Sequence, residues 1–271
     1  MKTIHIAQTL VIALTAFLFA ACSQDEIEQV KKETSPVLRV MVNHPSAITT
    51  RASVNDEVTS FENGDMIGVF AVDENGVEVF ANIPYQFDGS DWVLADQNKR
   101  AYYSDDYTYF AYYPYQEKEH EYWENNYWAE GATVNDYFYQ LISDWEVQRD
   151  QSTLKNYNAS DLMTGMGDKI SGGSAVSFSL SHNMSLLVIS IWTRGRQSNK
   201  IPDISDLDSQ GCFGSDSGEN LIPYNDGATF RYIGKPGELV TFYYKDSQDN
   251  IIERASTLKD AGYVAESWFE Y

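Results

Sequence analysis

Positive charge is scarce in this chain of 271 residues. It has 19 Lys and Arg against 40 Asp and Glu, which gives a formal net charge of −21. Such a chain repels phosphate backbones and anionic lipid headgroups, so nucleic acid is not expected as a partner and surface charge cannot attach it to a membrane. No segment after the first 21 residues is long and apolar enough to predict a transmembrane helix.

Cysteine and histidine are also rare, and the motifs that hold metals or carry out catalysis are missing. The only cysteines are Cys22 and Cys212, and the four histidines have no zinc-like spacing. A stretch beginning at Asp206 resembles a calcium loop, but Ser217 stands where that loop requires Glu. His182 could be a base, but no Ser-Gly elbow or second histidine supports it, and a histidine at the edge of a core is the simpler interpretation. We therefore expect no metal, no cofactor and no enzyme activity, and a secreted hydrolase is disfavoured.

The first residues are typical of an export signal. Lys2 supplies a positive charge, Leu10–Ala21 is almost wholly apolar, and Ala20-Ala21 leads directly into Cys22. This pattern predicts a bacterial lipoprotein signal peptide over 1–21, with Cys22 as the lipidated first residue of the mature chain. Cys212 would then have no intrachain partner. The alternative is an ordinary secretory peptide that is cut nearby; in either case the protein works outside the cytoplasm.

The remainder predicts an extracellular β-protein. Residues 22–36 are polar and are predicted to be a tether, although part of this segment could form a short helix. Short apolar runs with turn signals between them predict strands, and Val176, Phe178 and Leu180 alternate with serines, so they should face a core. The tail is ambiguous, because STLKDAGYVAESW could be a short helix. The predicted strands lie at 37–42, 66–72, 77–81, 85–87, 92–94, 107–113, 186–192, 228–232 and 239–244.

A series of motifs resembles one family. After Cys22 come TTRA (49–52), FENGDMIGVFAV (61–72), YQFDGSDWVL (85–94), YTYFAYYPY (107–115), SDLMTG (160–165) and VSFSLSHNMSLLVISI (176–191). Each motif is weak alone, but their order resembles the fimbrillin family, the subunits of type V pili and their relatives. The part from 199 to 271 matches this family poorly.

The resemblance implies an all-β fold of two transthyretin-like, Greek-key β-sandwich domains. We expect the first domain at 37–198 and a second, incomplete one at 199–271. The family implies a palmitoylated lipoprotein of the cell outer membrane that becomes part of a fimbrium. It also implies that segment 37–51, a first strand with its cleavage loop, is removed and that a strand from another pilin subunit replaces it. The resulting role is a subunit, tip or anchor that mediates cell adhesion, with an unknown receptor.

Arg51 stands where the family's cleavage arginine stands. It lies between Thr50 and Ala52 in a loop-like stretch, and exposed loops with small, polar neighbours are preferred sites of proteolysis. Cutting there would free the apolar strand 37–42 and leave open strand edges that a new strand could pair with. The alternative is an uncleaved loop arginine on a permanently anchored lipoprotein.

Three aromatic residues, Trp123, Tyr127 and Trp128, stand in a charged and irregular segment. They are candidate ligand contacts, because exposed aromatic rings stack on sugars or bind proteins. The simpler interpretation is that they cover an edge of the core. The ligand interpretation favours a different class of function, a glycan-binding surface lipoprotein of a polysaccharide-uptake system.

Overall fold

The computed structural model describes residues 36–43, 61–193, 196–198, 213–215, 220–225, 229–245, 251–262 and 264–270. These residues belong to one compact unit, Pro36–Tyr271. Strands dominate the described residues and helices are few and short, so the all-β prediction is confirmed.

The first eight strands form one sheet with the order β5-β2-β3-β4-β1-β7-β6-β8. Their bounds are β1 Arg39–Asn43, β2 Met66–Val72, β3 Glu78–Phe87, β4 Trp92–Leu94, β5 Thr108–Tyr113, β6 Met163–Ile170, β7 Ala175–Ser179 and β8 Ser181–His182. The sheet also closes on itself, because β5 pairs with β6 from Phe110↔Met166 to Tyr113↔Met163. We call the closed strands β1–β7 the ring.

Alternate side chains of the ring strands fill its interior. Val176 and Phe178 are fully buried and Leu180 nearly so, whereas Ser179 is exposed, which confirms the predicted alternation. The interior also holds Leu38 and aromatic side chains from β3, β4 and β5. The ring encloses this core, and each of its strands contributes inward side chains to one continuous apolar interior.

The outer face of β2 and β5 is also buried. Phe70 and Phe110 point away from the ring interior into a second cluster, together with Trp123, Phe138 and Trp145. Short helices cover this face: a 3₁₀ turn His120–Tyr122, α1 Val134–Tyr137, α2 Tyr139–Asp144 and α3 Leu154–Ser160. A capping box between Thr133 and Asp136 starts α1, because each side chain accepts from the other's backbone N–H.

The remaining strands build two smaller sheets. One has the order β10-β9-β14-β13, with β17 parallel to β9, and the other has the order β12-β11-β15-β16. Their bounds are β9 Ser185–Thr193, β10 Arg196–Ser198, β11 Phe213–Ser215, β12 Asn220–Leu221, β13 Tyr224–Asn225, β14 Phe230–Gly234, β15 Leu239–Lys245, β16 Ile251–Thr257 and β17 Val264–Glu270. A third apolar cluster includes Leu187, Phe230 and Phe242.

Strand β9 belongs with these later sheets, although it precedes residue 199. It pairs with β14 from Ser185↔Gly234 to Ile189↔Phe230. Its apolar side chains serve two cores, since Leu186 packs on the helix-covered cluster and Leu187 on the third. The apolar run is therefore covered on both faces, as its sequence predicts. The predicted boundary at 198/199 falls within this β-structure, and the division into domains stays a prediction.

A buried glutamine joins the loop before α3 to the later strands. Gln151 precedes α3, and its amide accepts from the Ile233 N–H (2.9 Å) and donates to the Ile233 carbonyl (2.6 Å). This exchange reproduces the pairing that a strand would make with β14. The backbone beside it continues the contact, because the Gln151 N–H donates to the Ile222 carbonyl at 2.7 Å. The loop before α3 is therefore hydrogen-bonded to β14 and to the segment that precedes β13.

The tail differs from one of its two interpretations. The short helix considered for STLKDAGYVAESW is wrong, because this stretch holds the end of β16 and most of β17. β17 runs parallel to β9 over seven residue pairs. Hydrogen bonding to a strand far away in the sequence outweighs the local preference for a helix.

Candidate functional site

The place of β1 in the ring, between β4 and β7, is the ring's most unusual feature, and we call it the seat of β1. β1 runs parallel to β7 over five residue pairs, from Arg39↔Ala175 to Asn43↔Ser179. The other pairings between described strands of this sheet are antiparallel. Neither neighbour is joined to β1 by a hairpin, since β4 and β7 are both remote in the sequence. β1 therefore lies between two strands that each also pair with another strand, β4 with β3 and β7 with β6.

The opposite edge of β1 is held by separate contacts and not by a continuous ladder. Strand pairing with β4 is limited to Val40↔Trp92. Before that point, the Leu38 N–H donates to the Ala101 carbonyl at 3.0 Å, and the Tyr103 N–H donates to the Pro36 carbonyl at 2.9 Å. β1 thus pairs with β7 along its whole length, whereas the opposite edge is paired at two separate places, Val40↔Trp92 and Val37↔Tyr102.

A tyrosine completes the contacts on the β4 side of β1. The Tyr85 hydroxyl, from β3, donates to the Leu38 carbonyl at 2.9 Å inside the ring. Tyr85 is 2% exposed, and burial raises the pKa of its hydroxyl far above the usual range, so the hydroxyl stays a donor at all physiological pH values. Tyr85 has no signature in the sequence, because a tyrosine within a strand carries no signal of a specific acceptor.

The side chains of β1 separate into an inner and an outer set. Leu38 and Val40 are buried in the ring core, and Val42 packs against it. Met41 is 53% exposed. Burial of each inner side chain contributes roughly 1.5–3 kcal/mol, so an empty seat would expose a strongly apolar groove.

The predicted aromatic contacts do not share one environment. Trp123 is 1% exposed and packs edge-on against Phe70 at 5.0 Å between ring centroids. Trp128 is partly buried against Phe110, at 4.9 Å. Tyr127 is 63% exposed. Of the three, Tyr127 offers the most accessible ring surface.

His182 is paired with a carboxylate at the end of β8. Its Nδ1 lies 2.9 Å from Asp161 Oδ1, and both side chains are largely buried. Burial alone would lower the pKa of His182, but the hydrogen bond and charge of Asp161 outweigh it and raise that pKa. Because Asp161 follows α3, the pair joins β8 to the end of that helix. This arrangement is that of a histidine at a core edge.

Within the described part of the chain, no group of three or more His, Cys, Asp or Glu residues is arranged to hold a metal ion. None of the described helices is long and apolar enough to cross a bilayer.

Comparison with known proteins decides the family. The model of the family described as fimbrillin-like matches residues 50–227, well over half of the chain. The chain belongs to the fimbrillin-like family. The resemblance found in its sequence motifs is thereby confirmed.

Among individual fimbrillin-like relatives, a Bacteroides ovatus protein provisionally named fimbrium tip subunit Fim1C is 32% identical over 205 residues. The match covers 70% of this chain and 36% of that relative. This chain therefore spans little more than a third of the curated relative.

Solved structures show the same fold. A fimbrial protein from Bacteroides ovatus superposes with a TM-score of 0.55 and 24% identity, over 88% of this chain and 50% of that one. A protein of Bacteroides uniformis provisionally assigned to cell adhesion gives a TM-score of 0.52 at 17% identity, over 89% of this chain and 93% of that one. At these identities the comparison establishes the fold alone.

Two residues that the resemblance singles out, Cys22 and Arg51, lie outside the described residues. Lipidation at Cys22 and cleavage after Arg51 therefore stay predictions. The described residues do bring together the strand that such a cleavage would free and the walls that it would leave. That strand is recognisable from the sequence, whereas its seat depends on Tyr85, Ala101 and Tyr103, which only the fold brings close.

Proposed function

We propose that this protein is a surface-exposed fimbrillin-like lipoprotein that is held at the outer membrane through Cys22 until cleavage after Arg51, and that then joins other pilin subunits of a fimbrium by exchange of its first strand. Its role is structural and adhesive, and it involves no catalysis or cofactor. The observation that carries the proposal is the seat of β1: a strand remote from both neighbours in the sequence, with Leu38 and Val40 in the core.

The connectivity supports a removable strand. β4 stays paired with β3 and β7 stays paired with β6 when β1 is taken away. Cleavage after Arg51 would cut the connection between β1 and β2, which are separated in the chain by residues 44–65. The ring would then be open between β4 and β7, with unpaired backbone groups and an apolar groove. Such an edge favours the addition of a strand from another chain.

A tip position is the specific role that we favour, because the curated relative carries that name. The receptor is not identified by any feature of the chain. A glycan-binding role has one supporting observation, the exposed ring of Tyr127 beside the partly buried Trp128.

The N-terminal residue of the protein recovered from the surface of expressing cells tests the proposal. We expect two forms, one beginning at lipidated Cys22 and a processed one beginning at Ala52, with the processed form in sheared fimbriae. Arg51→Ala should abolish the processed form, and Arg39→Ala is the matched control, since Arg39 lies within paired strand backbone. A surface population that begins only at Cys22 and never enters fimbriae would contradict strand exchange.

A further inference from the structure

The ladder on the β4 side of β1 is incomplete, and a side chain supplies the missing partner. The backbone pairs there are Val40↔Trp92 and the isolated antiparallel bridge Val37↔Tyr102. Two residues before Val40, the Leu38 N–H is bonded to Ala101, but the Leu38 carbonyl has Tyr85 Oη as its partner, at 2.9 Å. The Tyr85 hydroxyl therefore donates the hydrogen bond that the backbone of a neighbouring strand donates elsewhere in the ring.

Tyr85 would hold its position when the seat is empty. It lies within β3 and pairs through its backbone with Ile67 of β2 and with Leu94 of β4. Neither contact involves β1. A strand that fills the seat without a carbonyl at this place would leave the hydroxyl a buried donor without an acceptor, and such a group costs roughly 1–3 kcal/mol.

We propose that Tyr85 determines which strands the seat accepts, by requiring a backbone carbonyl at the place of the Leu38 carbonyl. This inference rests on the strand exchange proposed above. The partner is a β-strand with apolar side chains at alternate positions equivalent to Leu38, Val40 and Val42. Tyr85 selects for the position of a backbone carbonyl in that strand, and the apolar interior of the ring selects for its side chains.

The two requirements reinforce each other. Carbonyls and side chains both alternate along a strand, so a slip of one residue turns the carbonyl away from Tyr85 and moves every side chain to the opposite face. For β1 itself, that slip would bring Arg39, Met41 and Asn43 inward in place of Leu38, Val40 and Val42. Tyr85 thus selects against odd-numbered slips even in strands that are apolar on both faces.

The test uses the full chain, cut at position 51 by a site-specific protease, and fluorescent peptides of sequence PVLRVMVN (36–43) that exchange with the resident strand. A second peptide carries an alkene in place of the Leu38–Arg39 amide, which removes the Leu38 carbonyl. A third carries the alkene at Met41–Val42 as a control for the loss of one amide. Each is measured on the wild type, on Tyr85→Phe and on Tyr113→Phe, a control whose buried hydroxyl bonds to Asp65 and not to β1.

We expect Tyr85→Phe to weaken uptake of the natural peptide by about 3- to 10-fold, the equivalent of one buried hydrogen bond. Compared with the natural peptide, the peptide with the Leu38–Arg39 alkene should lose less affinity for Tyr85→Phe than for the wild type, by that same factor. Tyr113→Phe should bind all three peptides as the wild type does. Equal losses on Tyr85→Phe and on the wild type would overturn the assignment to Tyr85. A wild type that takes up no peptide would instead refute strand exchange.

A measurement on the wild type alone guards against poor folding of the variant. A carbon-13 label on the Leu38 carbonyl of the bound peptide should give the infrared amide band of a hydrogen-bonded carbonyl. The band of an unbonded carbonyl would overturn the proposal.

Discussion

β1 and β7 are parallel neighbours of five residues each, and they fill the same cavity in different ways. β7 follows β6 through a short turn and pairs with it from Gly167↔Phe178 to Ile170↔Ala175. Among the described residues, the strands that pair with β1 are both remote from it in the sequence. We call β7 the wall, because it pairs with its sequence neighbour β6. We call β1 the occupant, because both strands that pair with it are remote in the sequence.

The largest expected effect concerns the wall. Phe178→Ala should lower the free energy of unfolding by about 3–5 kcal/mol, because Phe178 is fully buried in the ring and the variant leaves a cavity. Urea unfolding measures this loss. Ser177→Ala, on the opposite face of β7, is the control and should change stability by less than about 0.5 kcal/mol. Equal losses for the two variants would refute the inward direction of Phe178.

A smaller global effect is expected from the occupant. Leu38→Ala removes an anchor of β1 and should weaken the attachment of that strand by about 2–5 kcal/mol. Hydrogen exchange should become faster at the amides of β1 while the β6–β7 pairing keeps its protection. Met41→Ala, at an exposed position, should leave both rates unchanged. If the amides that pair β6 with β7 lose protection together with those of β1, the distinction between wall and occupant fails.

The His182–Asp161 pair should make the folded protein more stable at acidic pH. Because the folded protein raises the pKa of His182 above the ordinary 6.5, protonation favours the folded state. The stabilisation is complete below the unfolded pKa and is lost as the pH rises through the folded pKa. The destabilisation caused by His182→Asn should therefore be larger at pH 5 than at pH 8 in thermal unfolding. A loss that grows with pH would contradict this assignment.

The smallest effect is expected at the end of β1. Asn43 Nδ2 donates to Ser179 Oγ at 3.0 Å in an exposed position. Asn43→Ala should speed release of β1 from the cut protein only slightly, by less than about 0.5 kcal/mol in activation free energy. Release kinetics by fluorescence, with Leu38→Ala in parallel, rank the two contacts. A larger effect for Asn43→Ala would move the main attachment of β1 from the core to the surface.

Strands with local signals could be predicted from the sequence. MIGVFAV lies between two turns and forms β2 over Met66–Val72, as predicted, and WVL forms β4 over Trp92–Leu94. β6 was not predicted, because Met163–Ile170 holds two glycines and little alternation. Gly165 and Gly167 stand where a Cβ would collide with the Ser179 carbonyl oxygen and the Val176 side chain, so close packing with β7 explains them. Such a requirement has no local signature.

The candidate site divides in the same way. The apolar first strand and its separation from the next are features of the linear sequence, and so are the motifs that identify the family. Its parallel alignment with β7, the single pair with β4 and the bond from Tyr85 to Leu38 join residues 47 to 136 positions apart. Sequence alone determined the class of fold, the family and the strand, because alternation and turn signals act over a few residues. Only the tertiary structure decided where that strand sits and what holds it, because those contacts exist only once the ring has closed.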